Sequence, residues 1–206
     1  MNKENQEEFS LELLRAGDRA EIARLVDAHS ANIYRVALNM LANPQDAEDV
    51  LQNTFFKALQ ALSEFEGRSS LSTWLYRIAV NESLMLLRGR KPEFDLVMNS
   101  DEEENELLLT QFTDWCCLPE GELMSAEAQS YLDEAVQELS EKLRVVFILR
   151  DIEKLSIRET SETLEISESA VKLRLLRARL ELRELLSKYY GERLDAESAD
   201  EKRPRL

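Results

Sequence analysis

Residues 155–179 read LSIRETSETLEISESAVKLRLLRAR. Ser156 followed by Glu159 has the form of a capping box, which starts a helix, and Ser167 is placed to cap a second helix after a short turn. Two helices around a short turn, the second of them basic, are typical of a helix-turn-helix that reads the major groove of DNA. The basic residues of the second helix are Lys172, Arg174, Arg177, Arg179 and Arg183.

The rest of the chain is poor in residues that form turns. Its 206 residues include five glycines and four prolines, too few for sandwiches and barrels, which turn about every 8–12 residues. Hydrophobic residues make up 44% and charged residues 33%, which supports packed cores with a soluble surface. We therefore predict an all-α fold, and the length leaves room for one large domain or two small ones.

No segment has the form of a membrane span or a secretion signal. The longest uninterrupted aliphatic and aromatic run is Val145–Leu149, far shorter than the roughly 18 apolar residues that a membrane-spanning helix needs. The first ten residues are polar and acidic. We predict a cytoplasmic protein with no membrane insertion of its own.

Cysteine and histidine are too few for a disulfide framework or a zinc site. Cys116 and Cys117 are adjacent, and His29 is the one histidine. The sequence shows neither a nucleophile with its base nor a glycine-rich phosphate loop, so we predict no catalytic residue, no metal and no cofactor. This is not the pattern of an enzyme. Two interpretations of the cysteine pair stay open: inert linker residues, or thiols that sense oxidants or bind a soft metal.

The acidic charge is concentrated in the middle of the chain. The net charge is −15, and residues 93–125 contain ten acidic and no basic residues. Like charges repel and extend a chain. We predict an acidic flexible linker at 93–125 that joins two small helical domains, residues 1–92 and 126–190. The sequence at Tyr189–Gly191 suggests a helix end, followed by a flexible tail at 191–206.

The pattern of the N-terminal domain predicts about four helices. The breaks fall at Asp18, which is placed to cap a helix, at Pro44, which is placed to begin one, and at residues 66–70. Ser70 or Ser72 then caps the next helix. Apolar residues recur at helical spacing at Ala47, Val50, Leu51, Ala58, Leu59 and Leu62.

Three motifs in this domain resemble the extracytoplasmic-function (ECF) sigma factors of bacterial RNA polymerase. They read DAEDVLQNTF at residues 46–55, FEGRSS at 65–70 and TWLYRIAVN at 73–81. The sequence LSEKLRVVFILRD at 139–151 resembles the start of the family's C-terminal domain. The resemblance implies an alternative sigma factor that directs promoter-specific transcription initiation. Its implied partners are core RNA polymerase, promoter DNA and an anti-sigma protein.

By resemblance, the first motif is the helix that binds core polymerase. If Ala47, Val50, Leu51 and Phe55 face inward, the outer face carries acids, amides and one aromatic side chain. Such a face suits a basic protein partner. The predicted polymerase-binding residues are Glu48, Asp49, Gln52, Asn53 and Phe56.

The second and third motifs imply recognition and opening of the minus-ten promoter element. An exposed loop followed by a helix offers phosphate contacts, hydrogen bonds and room for an unstacked base. Glu66 departs from the family, in which a basic residue is common there, and Trp74 is interpreted as a core residue. The predicted contacts are Arg68, Ser69, Ser70, Arg77, Asn81 and Arg88.

The second helix of the helix-turn-helix is implied to meet the minus-thirty-five element. Lysine and arginine can read guanine edges, and leucine can touch a thymine methyl group. Glu165 stands where relatives usually have glycine, so either its backbone is left-handed or the turn differs in geometry. The predicted contacts are Lys172, Leu173, Arg174, Leu176, Arg177 and Arg179, with Arg174 and Arg179 near phosphates or structural neighbours.

Two other functions stay open at this point. One is a helix-turn-helix regulator that binds DNA without polymerase, which the net charge of −15 disfavours. The other is a sigma-like interaction protein that has lost promoter-directed initiation. In the family, a small polar residue is common at the position of Leu173, and an aromatic residue or histidine at that of Leu176. Together with Glu66 and Glu165, these departures support the second alternative.

Overall fold

The computed structural model describes residues 9–90 and 126–200. Across these ranges the regular elements are helical and no strand occurs, so the all-α prediction is confirmed. The described chain forms two compact units, the first built mainly on residues 9–90 and the second mainly on residues 126–200. The predicted linker, with Cys116 and Cys117, lies outside the described residues.

Within residues 9–90, the first unit contains four α-helices, in agreement with the sequence pattern. α2, α3 and α4 pack on one another, and α1 lies against α2 and the turn after α3. The buried side chains of α2, α3 and α4 include Leu25, Val36, Val50, Leu75 and Val80. The elements are α1 (Leu11–Arg15), α2 (Arg19–Leu41), α3 (Pro44–Ala61), a 3-10 turn (Leu62–Glu64) and α4 (Leu71–Arg90).

Local capping explains where these helices begin. The Asp18 side chain accepts a 2.9 Å hydrogen bond from the Glu21 backbone N–H at the start of α2. Asn43 caps α3, whose first residue is Pro44. Ser70 accepts a 3.0 Å hydrogen bond from the Thr73 N–H, so Ser70 is the residue that caps α4. The three predicted breaks are confirmed.

The second unit contains the helix-turn-helix. α8 packs against α5 and α6, and the capping box predicted at the start of α7 is present, with Ser156 and Glu159 bonded to each other's backbone N–H. Ser167 caps α8, where its hydroxyl accepts from the Ala170 N–H. The elements are α5 (Ala126–Glu138), α6 (Glu141–Phe147), a π turn (Ile148–Ile152), α7 (Ile157–Leu164) and α8 (Glu168–Asp200).

Two features of this unit differ from the sequence-based expectation. α8 continues through Gly191 to Asp200, so the helix end predicted at Tyr189–Gly191 is wrong. The reason is that one glycine costs a helix only about 1 kcal/mol, and six of the nine residues from 192 to 200 are glutamate, arginine, leucine or alanine. The sequence pattern also does not predict the π turn, in which the Ile148 carbonyl oxygen accepts from the Glu153 N–H at 2.9 Å.

The end of α5 is closed by an arginine from α6. The Arg144 guanidinium donates to the carbonyl oxygens of Val136 (3.1 Å), Leu139 (3.0 Å) and Gln137, and to the Gln137 side chain (2.9 Å). The carbonyls at a helix end lack partners within the helix, and a cation there also matches the helix dipole. The pKa of Arg144 is lowered from its ordinary value because burial disfavours the charged guanidinium. The nearby Glu141 carboxylate opposes this shift but does not cancel it.

Replacing Arg144 is therefore expected to destabilise the second unit. Arg144→Met keeps most of the aliphatic stem but leaves these carbonyls without their donor, and we expect a loss of about 2 kcal/mol in the free energy of unfolding. Urea unfolding followed by circular dichroism measures it. Arg158→Met, at an exposed position on α7, is the control and should change stability by less than about 0.5 kcal/mol. Equal losses in both variants would contradict this role of Arg144.

The turn between α7 and α8 has a left-handed residue. Glu165 has φ 55°, and its backbone N–H bonds to the Ser161 carbonyl oxygen. Of the two geometries left open by the sequence, the left-handed one is the one observed. A side chain is disfavoured in this conformation by about 1–2 kcal/mol, and glycine is not.

Glu165→Gly is expected to stabilise the protein by about 1 kcal/mol, because it removes the left-handed strain at this position. The change should appear as a higher urea midpoint with an unchanged slope. Glu181→Gly, at an exposed position inside α8, is the matched control and should destabilise by about 1 kcal/mol. A loss of stability in both variants would show that the left-handed backbone at Glu165 does not lower the free energy of unfolding.

Candidate polymerase and promoter interfaces

The outer face of α3 presents the side chains predicted to bind polymerase. Its inner face buries Ala47, Val50, Thr54 and Phe55 against the rest of the first unit. Phe56 is 61% exposed, an unusual position for an aromatic side chain. The predicted exposure is confirmed for Glu48, Asp49, Gln52, Asn53 and Phe56.

Leu59 extends this face in a way that the sequence did not indicate. Helical spacing predicts Leu59 on one face with the buried Ala47 and Val50, but it is 38% exposed, so that prediction is wrong. Leu59 lies three residues after Phe56, which places both on the same side of the helix. The adjacent Ala58 takes the buried position instead. An apolar pair therefore lies among the acids and amides of α3.

The loop between α3 and α4 is fixed at both ends and exposed between them. Phe65 is buried, and its ring lies 4.9 Å from the ring of the half-buried Trp74. Gly67 has φ 73°, a conformation that favours glycine. Arg68 projects into solvent and forms an ion pair with Glu66. Because both partners are exposed, this pair contributes little to stability.

Three of the predicted minus-ten contacts follow the loop along one face of α4. Arg77, Asn81 and Arg88 are separated by four and seven residues, a spacing that aligns them on a helix. Asn81 and Arg88 are exposed, and Arg77 is half-buried. Ser70, at the start of the same helix, is engaged as its cap, and Ser69 is half-buried beside it. The structure thus places these side chains in sequence along one element.

The predicted minus-thirty-five contacts on α8 differ in solvent exposure, and some of them are accessible while others are buried. Lys172 is exposed, and Leu176 and Arg177 are half-buried. Leu173 and Arg174 are 6% and 1% exposed. Leu173 or Arg174 could contact a base only if the residues that bury it moved away. The Lys172 side chain is already exposed.

Arg179 is held by a bidentate ion pair. Its Nε and Nη2 donate to the Asp151 Oδ2 and Oδ1 at 2.8 and 2.7 Å. Asp151 lies in the π turn that follows α6, so this pair joins α8 to the end of α6. Two parallel charge-assisted hydrogen bonds give a fixed geometry. This arrangement favours the structural interpretation of Arg179 over a phosphate contact.

Sequence comparison matches both units to known families. Residues 25–93 match the family model of Sigma-70 region 2, and residues 129–182 match that of Sigma-70 region 4. The ECF RNA polymerase sigma factor SigW of Bacillus subtilis is 33% identical over 173 residues, which cover 84% of this chain and 92% of that protein. The chain belongs to the ECF sigma factors. The RNA polymerase sigma-H factor of Pseudomonas aeruginosa is 31% identical and covers 87% of this chain and 93% of that protein.

Solved structures share the fold of this ECF sigma factor. The structure of CnrH in complex with the cytosolic domain of CnrY has a TM-score of 0.63 and 24% identity, and covers 86% of this chain and 95% of that one. The sigma factor RpoE in complex with the anti-sigma factor NepR from Bartonella quintana has a TM-score of 0.60 and 25% identity, and covers 80% of this chain and 96% of that one.

As an alternative sigma factor, the protein directs promoter-specific transcription, and neither of the two other functions left open by the sequence is favoured. Members of this family are regulators rather than enzymes. Among the described helices of this ECF sigma factor, none is both long and apolar enough to cross a membrane. Within the same ranges, no cluster of His, Cys, Asp and Glu side chains could hold a metal ion.

The ECF sigma factor also contains structural side chains that sequence reasoning missed. Arg15, Arg144 and Asp151 each form a contact between elements. Arg15 and Asp151 meet partners 50 and 28 residues away, so no local pattern reveals them. The partners of Arg144 lie only five to eight residues away, across the break between α5 and α6, where a capping arginine is the signal that could have been read.

Proposed function

We propose that this ECF sigma factor brings core RNA polymerase to its promoters through three surfaces. The outer face of α3 binds polymerase, residues 66–70 and the outer face of α4 engage the minus-ten element, and α8 meets the minus-thirty-five element. The observation that carries the proposal is that all five predicted polymerase-binding side chains of α3 are exposed within the segment matched by Sigma-70 region 2.

The chemistry of α3 supports binding to a basic protein surface. Glu48 and Asp49 supply charge that steers association, and Gln52 and Asn53 supply hydrogen bonds. Phe56 supplies an exposed aromatic group that a partner pocket can desolvate. Interfaces combine an apolar centre with a polar rim in this way.

The chemistry of α8 supports DNA recognition centred on Lys172 and Arg177. Both side chains can donate to guanine edges or to phosphates, and Leu176 can contact a thymine methyl group. With a net charge of −15, the isolated chain should bind DNA weakly, because phosphate neutralisation supplies much of the affinity for DNA. Promoter recognition therefore depends on polymerase.

The proposal extends to partners and location. Two structural neighbours are described as complexes, one with the anti-sigma factor NepR and one with the cytosolic domain of CnrY. By analogy, this chain binds an anti-sigma protein. It acts in the cytoplasm, needs no cofactor, and is not itself an enzyme.

Reconstituted transcription tests the proposed function directly. The purified protein is mixed with bacterial core RNA polymerase and a library of genomic fragments, and run-off transcripts are sequenced with and without it. We expect transcripts that appear only with the protein and share two upstream elements at fixed spacing. Polymerase binding without such transcripts would instead support a sigma-like interaction protein, and absence of polymerase binding would overturn the proposal.

A further inference from the structure

Arg15 links the N-terminal helix to the start of the minus-ten loop. Its Nη2 donates a 2.6 Å hydrogen bond to the Phe65 carbonyl oxygen, and its Nε donates a longer one, 3.4 Å, to the Leu62 carbonyl oxygen. Both acceptors lie at the 3-10 turn that ends α3. A guanidinium is suited to this position because it can donate to two carbonyls at once and places positive charge at a helix end.

Phe65 is thereby held from two sides. Its carbonyl oxygen accepts from Arg15, and its buried ring lies 4.9 Å from the Trp74 ring of α4. The contact with Trp74 fixes the side chain, and the contact with Arg15 fixes the backbone. Residue 66, where the exposed part of the loop begins, follows directly from this anchored residue.

The other end of the loop is anchored separately. The Ser70 hydroxyl accepts from the Thr73 N–H at 3.0 Å and lies 2.8 Å from the Thr73 hydroxyl. Between Phe65 and Ser70, four residues remain, and three of them are exposed. The loop therefore has two fixed ends and a short accessible middle.

The segment that carries Arg15 is itself tied to α2. The Ser10 side chain caps α1, and the Ser10 N–H donates a 2.7 Å hydrogen bond to Glu21 Oε1. Glu21 is buried and also accepts from Arg24 Nη1 at 2.6 Å. Because α1 is attached in this way, the hydrogen bond from Arg15 connects the start of the loop to α2 through α1.

We propose that Arg15 is a positioning residue for promoter opening: by fixing the Phe65 backbone, it holds residues 66–70 ready to receive the unpaired strand of the minus-ten element. A loop that is ordered before binding does not lose that conformational entropy when the strand arrives. This inference rests on the proposed role of the loop. It assigns Arg15 no contact with DNA.

Duplex and premelted promoters separate positioning from folding. Holoenzymes are assembled with wild-type, Arg15→Met, Arg15→Lys and Arg19→Met proteins on a promoter found by the run-off experiment, either fully paired or mismatched across the minus-ten element. Permanganate reactivity of unpaired thymines and run-off yield are measured on both templates. Because each preparation is tested on both, the ratio of the two activities does not depend on the fraction of active protein.

Arg15→Met is expected to reduce opening of the duplex promoter roughly five- to tenfold, the effect of losing one hydrogen bond of ordinary net strength, and to leave the premelted promoter within about twofold of wild type. Arg15→Lys should be intermediate, because one ammonium group does not reproduce the planar fork that bonds both carbonyls. Arg19→Met, which removes an exposed charge at the start of α2, should match wild type on both templates.

Two results would overturn the role of Arg15: wild-type opening of the duplex by Arg15→Met, or an equal loss on both templates, which would indicate a purely structural role. A variant of the loop itself, Arg68→Ala with Ser69→Ala, distinguishes this failure from failure of the proposed function. If the loop variant opens the duplex normally, the proposed function of the loop fails, and the inference fails with it. If the loop variant is impaired and Arg15→Met is not, the inference alone fails.

Discussion

Replacing both Lys172 and Arg177 by alanine is expected to weaken use of the minus-thirty-five element by about 2–6 kcal/mol, since each base-reading side chain contributes about 1–3 kcal/mol. That corresponds to at least a roughly 30-fold loss of promoter activity. Lys172 is exposed and Arg177 half-buried, so neither replacement removes a fully buried side chain. The measurement is the run-off rate on a promoter with its own minus-thirty-five element.

A second template and a charge-matched variant make this test specific. On a promoter whose minus-thirty-five element has been replaced, the double variant should equal wild type, because there is no sequence left to read. Arg19→Ala with Arg35→Ala removes the same charge from exposed positions of α2 and should retain full activity on both templates. Equal losses on both templates would mean that Lys172 and Arg177 contact phosphates rather than bases.

Phe56→Ala is expected to weaken binding of core polymerase by about 2–4 kcal/mol, the range for an aromatic residue at the centre of an interface. Because the Phe56 side chain is exposed in the free protein, its removal should not lower the free energy of unfolding. Phe56→Ala is therefore expected to lower the affinity for core polymerase while the free energy of unfolding stays the same. Competition between labelled wild-type protein and the unlabelled variant for core polymerase measures the affinity.

Leu13 provides the matched control for Phe56. It is also an exposed apolar side chain, 48% accessible, but lies on α1 rather than α3. Leu13→Ala should bind core polymerase as wild type does, while Leu59→Ala, on the same face as Phe56, should show a smaller loss than Phe56→Ala. If Phe56→Ala and Leu13→Ala bind equally well, the α3 face is not the binding surface.

The sequence was sufficient for the starts of the helices, which depend on neighbouring residues. Asp18, Asn43 and Ser156 each bond to a backbone N–H two or three residues further on, so the helix starts could be read directly. The motif at residues 46–55 likewise predicted which side of α3 is exposed, because helical spacing alone decides this. The four helices of the first unit and the helix-turn-helix follow from such local signals.

The sequence was insufficient wherever partners are distant along the chain. Neither the bond from Arg15 to Phe65 nor the pair between Arg179 and Asp151 has a local signature. The burial of Leu173 was also not predictable, because the motif indicates a basic, DNA-facing helix and does not show which of its side chains pack inward. The roles of the candidate residues toward polymerase and DNA stay predictions, since they depend on surfaces of other molecules.

The left-handed backbone at Glu165 also bears on how the protein changes under selection. Glutamate codons become glycine codons by one A-to-G transition, so the replacement that relieves the strain at φ 55° is a single mutational step away. A population propagated at a temperature where this protein limits growth should therefore acquire Glu165→Gly early and repeatedly. If residue 165 stays glutamate under ordinary growth, selection there is too weak to favour a gain of about 1 kcal/mol in the free energy of unfolding.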